Sequence, residues 1–275
     1  MEHGMTSTRI PLFALDTAAR LWFVVTLAGQ LMFGAYIVAL YGGAIARGDP
    51  ARWNAVMTHG HVAGATAGNA AVAVHLLLAA VIMLGGALQL VPGLRTALPR
   101  LHRWNGRMYL LGAVLAAISG LYMMWWRGAV GDLIQHIGTS INALLVLLCA
   151  YQALRHALAR RIDAHRRWAL RLFLCVSGVW FFRVGLMCWI ALNGGPAGFD
   201  PATFTGPALS VLAYAQYLAP LLVLEIYLRA RRNAQPAGQV AAAALVMFST
   251  GLIAVGVAVA TVGMWLPQLG GGATN

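Results

Sequence analysis

The sequence predicts an all-α polytopic membrane protein of seven transmembrane helices, with helices two to five forming a four-helix bundle core. Three observations carry that expectation. The 275-residue chain is 60% hydrophobic and only 9% charged, with a mean hydropathy of +0.74, whereas a soluble domain carries roughly a quarter charged residues. Seven apolar segments reach the ~20 residues that a spanning helix needs. They lie at about 20–44, 64–91, 105–126, 133–154, 168–192, 208–228 and 240–266. Hydrocarbon offers no partner to an unpaired backbone amide, so open sheets cannot cross it and these segments are helices.

The first segment follows Arg9 and ends near Ala44-Ile45-Ala46, which resembles a signal cleavage site. Its apolar core from Leu21 to about Tyr41 exceeds the 7–15 residues of a signal h-region, so it is expected to stay as an anchor. The second segment carries His75 and Gln89, the third begins after His102, the fourth carries His136, and the fifth begins after His165. Short connections such as Gly128-Ala129-Val130-Gly131-Asp132 make neighbouring helices antiparallel. The two longest outer connections are 45–63, with His59 and His61, and 193–207. The second is dense in Gly and Pro and is expected to form an ordered or partly ordered lid. Two ligands are too few for a metal site at His59 and His61, which read as loop residues. On the sixth segment Glu225 precedes Arg229 by one turn, the spacing of an i, i+4 ion pair. No internal repeat or linker interrupts the chain, so 1–275 reads as a single transmembrane domain.

All 19 basic residues are Arg, and the net charge is +12. With the N-terminus inside, fifteen of them fall on inner connections. These include Arg95, Arg100, Arg103 and Arg107, then Arg155, Arg160, Arg161, Arg166, Arg167 and Arg171, then Arg229, Arg231 and Arg232. Only Arg47, Arg52 and Arg127 are outside, with Arg183 inside the membrane. Such asymmetry places the N-terminus in the cytoplasm and the C-terminus in the periplasm of a bacterial inner membrane. The basic charge is therefore a topology signal with the lipid bilayer as its partner, and no nucleic acid is expected. Cys149, Cys175 and Cys188 lie in apolar segments without a C-x-x-C spacing and read as buried free thiols.

His75, His102, His136 and His165 fall one apiece on consecutive segments, 27, 34 and 29 residues apart. His75 and His136 lie deep, roughly 22 Å or more from the inner edge at 1.5 Å per residue, and His102 and His165 lie at that edge. In an up-down bundle they form two diagonal pairs at two depths. That layout suits two bis-imidazole b-type haems, the four histidines ligating iron. Arg103, Arg107, Arg166 and Arg167 are placed to hold propionates. Gly64, Gly68, Gly85, Gly86, Gly106, Gly112, Gly120, Gly138 and Gly178 permit close approach of helices or cofactor. Arg183, at the depth of His75 and His136, needs an anionic partner such as a propionate or an anionic substrate; no acid lies at that depth on helices two to five, and Asp132, at the outer end of the fourth, is nearest. The plainer readings are interfacial packing for His102 and His165, and interhelical hydrogen bonds to Gln135, Asn142 or Asn69 for His75 and His136. His156 and His3 read as solvated, Trp125 and Trp126 as an interfacial belt, and Trp180-Phe181-Phe182 as stacking candidates for a cofactor.

The run Gly85-Gly86-Ala87-Leu88-Gln89, then Arg95, then His102-Arg103-Trp104-Asn105-Gly106-Arg107-Met108-Tyr109, together with His165-Arg166-Arg167-Trp168-Ala169-Leu170-Arg171, resembles the bacterial multi-pass membrane family catalogued as domain of unknown function 2306, over about residues 70–190. That resemblance implies an inner-membrane protein and no particular reaction. In layout alone the four histidines are also similar to the di-haem b-type transmembrane cytochromes, which implies haem pairs His75–His136 and His102–His165.

The leading expectation is transmembrane electron transfer through one or two b-type haems, a membrane oxidoreductase acting on a quinone, a metal or another small redox molecule. The rival is a transporter or small-molecule-binding protein whose outward-facing pocket holds Arg183, His75, His136 and Gln135. Against it, the sequence shows no internal repeat and no clearly broken helix. A non-catalytic assembly factor is the third reading. H-E-x-x-H, G-x-S-x-G and phosphate-loop motifs are all missing from the sequence.

Overall fold

In a computed structural model the chain is helical along almost its whole length, and residues 3–233 and 235–270 are described. The side chains of residues 3–9 and of Pro92 fall outside that description, and with them the readings of His3 and Arg9. Helix α1 is His3–Ile37, continued by a π turn at Val38–Gly42 and by Gly43–Ala46. Then follow α2 (Thr66–Leu90), α3 (Pro99–Trp125), α4 (Leu133–Leu158), α5 (Ile162–Val176), α6 (Gly178–Asn193), α7 (Pro207–Arg232) and α8 (Pro236–Ala260). A π turn at Thr261–Trp265 and Leu266–Gly270 extend α8. Six of the helical stretches are each long and apolar enough to span a bilayer, and α5 with α6, bent by 53°, passes the same test as a pair, which makes six to seven candidate crossings.

The helix starts follow local chemistry. Pro99, Pro207 and Pro236 begin α3, α7 and α8, where proline's missing N–H costs nothing. Asp132 caps α4 by accepting the Gln135 backbone N–H at 2.9 Å. That bond holds its carboxyl below the usual aspartate range. Gly194, at φ +68°, closes α6 in the left-handed conformation a side chain disfavours.

Helices α2, α3, α4 and α5 pack in sequence, each against the next, and the bent α5–α6 crossing joins this bundle to α7, α8 and α1. Its centre is dry and tight. Trp180 is fully buried and donates its indole N–H to the Gly29 carbonyl of α1 at 3.3 Å. A Cβ on Gly256 of α8 would lie 2.2 Å from the Val184 carbonyl oxygen of α6, so the two backbones touch. Lipid tails are as apolar as the side chains, so such close packing and interhelical hydrogen bonds hold the helices together.

Three expectations change at this level. The third segment begins six residues earlier, at Pro99, which puts His102 inside α3. The fifth segment is two helices. Its break sits at Ser177-Gly178, and a Ser/Gly pair is one of the recognised causes of a sharp helix bend. Glu225 pairs with Arg171 across α5 and α7, at 2.6 Å, and not with Arg229 on its own helix. The 193–207 connection is ordered as expected. Asp200 and Thr205 form an isolated bridge, Trp189 donates to Ala197 O at 2.8 Å, and Phe204 packs on Phe182. The Gln135 carboxamide reaches Phe204 O at 3.2 Å and ties this loop to α4.

Candidate functional site

Arg183 sits on α6 one and a half turns past the helix break, and its guanidinium carbon lies 5.4 Å from the centre of the Phe33 ring on α1. Phe33 and Tyr36 of α1 stack with Trp265 beyond α8, at ring distances of 5.4–6.2 Å. Tyr36 donates its hydroxyl to the Gln268 side chain, and Arg52 donates to Gln268 O at 3.1 Å. Tyr36, Tyr41 and His75 all lie within coulombic range of Arg183. Residues of α1, α2 and α6 thus gather near one cation, and the end of α8 joins them through Phe33 and Tyr36.

The hydrogen-bond inventory of this cluster is lopsided. Arg183 has five N–H donors, and its one intramolecular bond runs from Nη1 to Val179 O of its own helix at 3.3 Å. The Trp265 indole N–H is buried without an acceptor. Among the described residues the ion pairs are Arg171–Glu225 and Arg231–Asp16, so no carboxylate serves Arg183. Asp132 spends its oxygens on Gln135 N–H and on the Ser210 hydroxyl at 3.3 Å. His75 adds an imidazole: its Nδ1 lies 2.8 Å from Ser119 Oγ, whose hydroxyl also reaches Leu115 O at 2.7 Å and Ala116 O at 3.2 Å.

The four histidines divide. His136, at the outer end of α4, stands edge-on to Trp125 at 5.7 Å with Nε2 3.4 Å from Val130 O, whereas His75 faces Ser119 and Arg183. The two have different neighbours. His102 and His165 do lie within coulombic range of each other, with Arg95 beside them. His165 donates Nδ1–H to Ala153 O at 2.8 Å, leaving Nε2 free, and His102 Nδ1 is buried without a partner. The His102 backbone carbonyl accepts from Gln89 at 2.9 Å. Arg107 lies over its neighbour Trp104, at 5.4 Å; Arg103 and Arg167 fall among half-buried and exposed positions at the same end, as does Arg166. Gly85, Gly86 and Gly106 serve helix contact: a Cβ there would meet Asn105, Tyr109 with Phe173, and Gln89.

Other expectations resolve simply. His59 and His61 lie in a loop that Arg127 clasps, donating to His59 O at 2.7 Å and to Asn69 Oδ1 at 2.6 Å. His156 is half-buried with Nδ1 lacking a partner, rather than solvated. Trp126 is exposed as a belt residue should be, and Trp180 belongs to the core. The three cysteines are buried and free. Sequence reasoning missed Phe33, Tyr36 and Trp265, whose convergence depends on how α1 and α8 pair. It also missed Thr26 and Gln30, a polar i, i+4 pair inside an apolar span, which was a usable signal.

A family model described as "Predicted membrane protein (DUF2306)" matches residues 72–227, more than half of the chain. No curated protein and no solved structure matches it.

Proposed function

The chain belongs to the DUF2306 family of predicted membrane proteins, and from that premise we propose that it binds a small organic anion in the membrane, as a transporter or receptor, with Arg183 as the anchor. One observation carries this reading. Arg183 lies in a spanning segment with most of its donors unspent and with no carboxylate partner among the described residues. An intramembrane guanidinium costs roughly 3 kcal/mol or more without compensation, and a bound anion supplies it. The surroundings specify the anion further. Phe33, Tyr36 and Trp265 offer aromatic faces, Trp265 offers an N–H, and His75 offers an imidazole held by Ser119. A carboxylate on a flat apolar body fits that set. The bent α5–α6 pair meets the second half of the objection raised from sequence, the lack of a broken helix, because broken helices whose N-terminal halves face anionic substrates are a transporter device.

Benzoate is the probe, with uncharged benzamide as its control. Benzoate should raise the thermal midpoint of the detergent-purified protein in a saturable way and benzamide should not. Arg183→Leu should abolish the rise while the protein stays helical, and Arg183→Lys should keep part of it, since lysine retains the charge but not the fork. Equal responses to benzoate and benzamide would remove the anion site.

A second reading keeps b-type haem, at the inner pair only. It is favoured by the His102–His165 proximity and by the Ala153 carbonyl that fixes the His165 tautomer, an arrangement common behind ligating histidines. Arg103, Arg107, Arg166 and Arg167 would serve propionates there, and the protein would act as an oxidoreductase toward a quinone or other small redox molecule. A reduced-minus-oxidised spectrum of protein made with ample haem decides it. A sharp α band lost in His165→Ala supports this reading, and a colourless protein ends it. The inner-membrane address, with the N-terminus in the cytoplasm, accompanies either reading and rests on the arginine asymmetry.

A further inference from the structure

Where α7 ends and α8 begins, the two helices leave a cleft of about 760 Å³, lined by Ile226, Arg229, Arg232, Asn233, Gln235 and Gly238. Both helices are long and apolar enough to span a bilayer, so their connection lies at a membrane surface whichever way the chain is oriented. The last turn of α7 holds three arginines, Arg229, Arg231 and Arg232. The dipole of α7 accounts for only about half a charge at that end. Arg231 is spent, donating to the Tyr227 hydroxyl at 2.9 Å and meeting Asp16 of α1 at 3.4 Å. Glu225, one turn before Arg229, is held by Arg171. Arg229 and Arg232 are three residues apart, on neighbouring positions of one helix face, and neither has a carboxylate partner among the described residues.

The opposite wall is the start of α8, and it too favours negative charge. Pro236 begins the helix without an N–H, and the Gln239 N–H closes onto Gln235 O at 3.2 Å. The Ala237 and Gly238 N–H groups precede the first intrahelical bond and point out of the helix start. Such an end of a 25-residue helix suits a phosphate. Gly238 keeps the wall open, because a Cβ built on it meets nothing within 4 Å. The floor is apolar and runs into the membrane: Ile226 lines the cleft, and Leu222, one turn deeper on the same stripe of α7, is 62% exposed.

Two uncompensated guanidinium groups at headgroup level, above an apolar track, match the two ends of one molecule. Arginine forks take phosphate oxygens, and basic pockets between spanning helices take anionic headgroups. A soluble anion would leave the track unused, and a zwitterionic headgroup would bring its own ammonium against the arginines. We propose that the α7–α8 cleft binds the phosphate headgroup of an anionic phospholipid, with Arg229 and Arg232 on the phosphate and an acyl chain along Ile226 and Leu222. This site is separate from the Arg183 cluster and does not depend on it.

The full-length protein, delipidated in maltoside detergent, is unfolded thermally with dioleoylphosphatidylglycerol or dioleoylphosphatidylcholine added as mixed micelles. Phosphatidylglycerol should raise the midpoint saturably, and phosphatidylcholine, with the same phosphate and chains, should not. Arg229→Gln with Arg232→Gln should raise the half-saturating lipid fraction about tenfold. Gly238→Leu keeps both arginines, fills the open cleft and should weaken the response by a similar factor. Arg100→Gln with Arg160→Gln takes the same charge from two exposed positions elsewhere and should leave the response unchanged. Equal responses to the two lipids would overturn the proposal. So would a loss in the Arg100 and Arg160 variant as large as that in the Arg229 and Arg232 variant, because bulk charge attraction would then explain both. Glycerol 1-phosphate raising the midpoint as far as phosphatidylglycerol would overturn the lipid assignment in favour of a soluble phosphate ester. If the Arg229 and Arg232 variant does not fold, the lipid comparison and Gly238→Leu still decide.

Discussion

Arg171 meets Glu225 with two nitrogens on one oxygen, Nε at 2.8 Å and Nη2 at 2.6 Å, while its guanidinium lies 4.9 Å from the Trp168 ring. The side chains keep 22% and 35% of their exposure, so solvent and headgroups screen the pair. Replacing both with Gln in a double-mutant cycle should give a coupling of about 1 kcal/mol, near the upper end for exposed pairs. The same cycle on Glu225 and Arg229 should give a coupling of about zero, within the ~0.3 kcal/mol scatter of independent sites. A larger value for the second cycle would return Glu225 to its own helix. The i, i+4 spacing of Glu225 and Arg229 was legible in the chain, but which arginine wins depends on how α5 lies against α7. Arg183 shows the converse. Its need for an anion follows from an arginine in an apolar run, whereas its aromatic neighbour Phe33 comes from α1, far away in sequence, and is itself packed by Trp265 from beyond α8.

Among the elements, α6 is the most constrained, because it touches α7, α8 and the aromatic end of α1 at once. Two glycines of α8 separate packing from propensity. A Cβ on Gly256 would lie 2.2 Å from Val184 O and 2.9 Å from Val184 C, both backbone atoms, whereas a Cβ on Gly251 meets nothing within 4 Å. Gly256→Ala should therefore destabilise by about 2 kcal/mol, in the overpacking range, by prising α8 from α6. Gly251→Ala should be neutral or slightly stabilising, by up to about 1 kcal/mol, through helix propensity. Equal effects in a thermal or denaturant series would contradict the α6–α8 contact. The existence of seven crossings was readable from hydropathy because length and composition alone set it. The bend was not read, although Ser177-Gly178 stands at its apex, because an apolar run of 25 residues has the same hydropathy straight or bent.

At the scale of the molecule the arginines decide orientation. With α5 and α6 counted as one crossing, the α2–α3, α4–α5 and α7–α8 connections lie at one end, and these carry thirteen of the 19 arginines, counting Arg95, Arg100, Arg103, Arg107, Arg155, Arg160, Arg161, Arg166, Arg167, Arg171, Arg229, Arg231 and Arg232. The other end has Arg47, Arg52 and Arg127, and at least two of these are occupied locally: Arg52 holds Gln268 and Arg127 clasps the 59–60 backbone and Asn69. Basic residues in short connections resist translocation, and the orientation proposed above, with the arginine-rich end in the cytoplasm, rests on that count. Under that proposed orientation the Arg183 cluster would lie toward the periplasmic half of the membrane, the side from which an organic anion would arrive. Fusions give the measurement. Green fluorescent protein fused after Arg232 should fluoresce and alkaline phosphatase there should be inactive, while at Asn275 the pattern should reverse. The same side for both positions would remove α8 as a crossing and, with it, the seating of Trp265 on Phe33 and Tyr36 and of Gln268 on Tyr36. Opposite sides in the inverted sense would keep the fold and turn the anion cluster to the cytoplasm, which makes the direction of binding, rather than the site, the quantity this experiment sets.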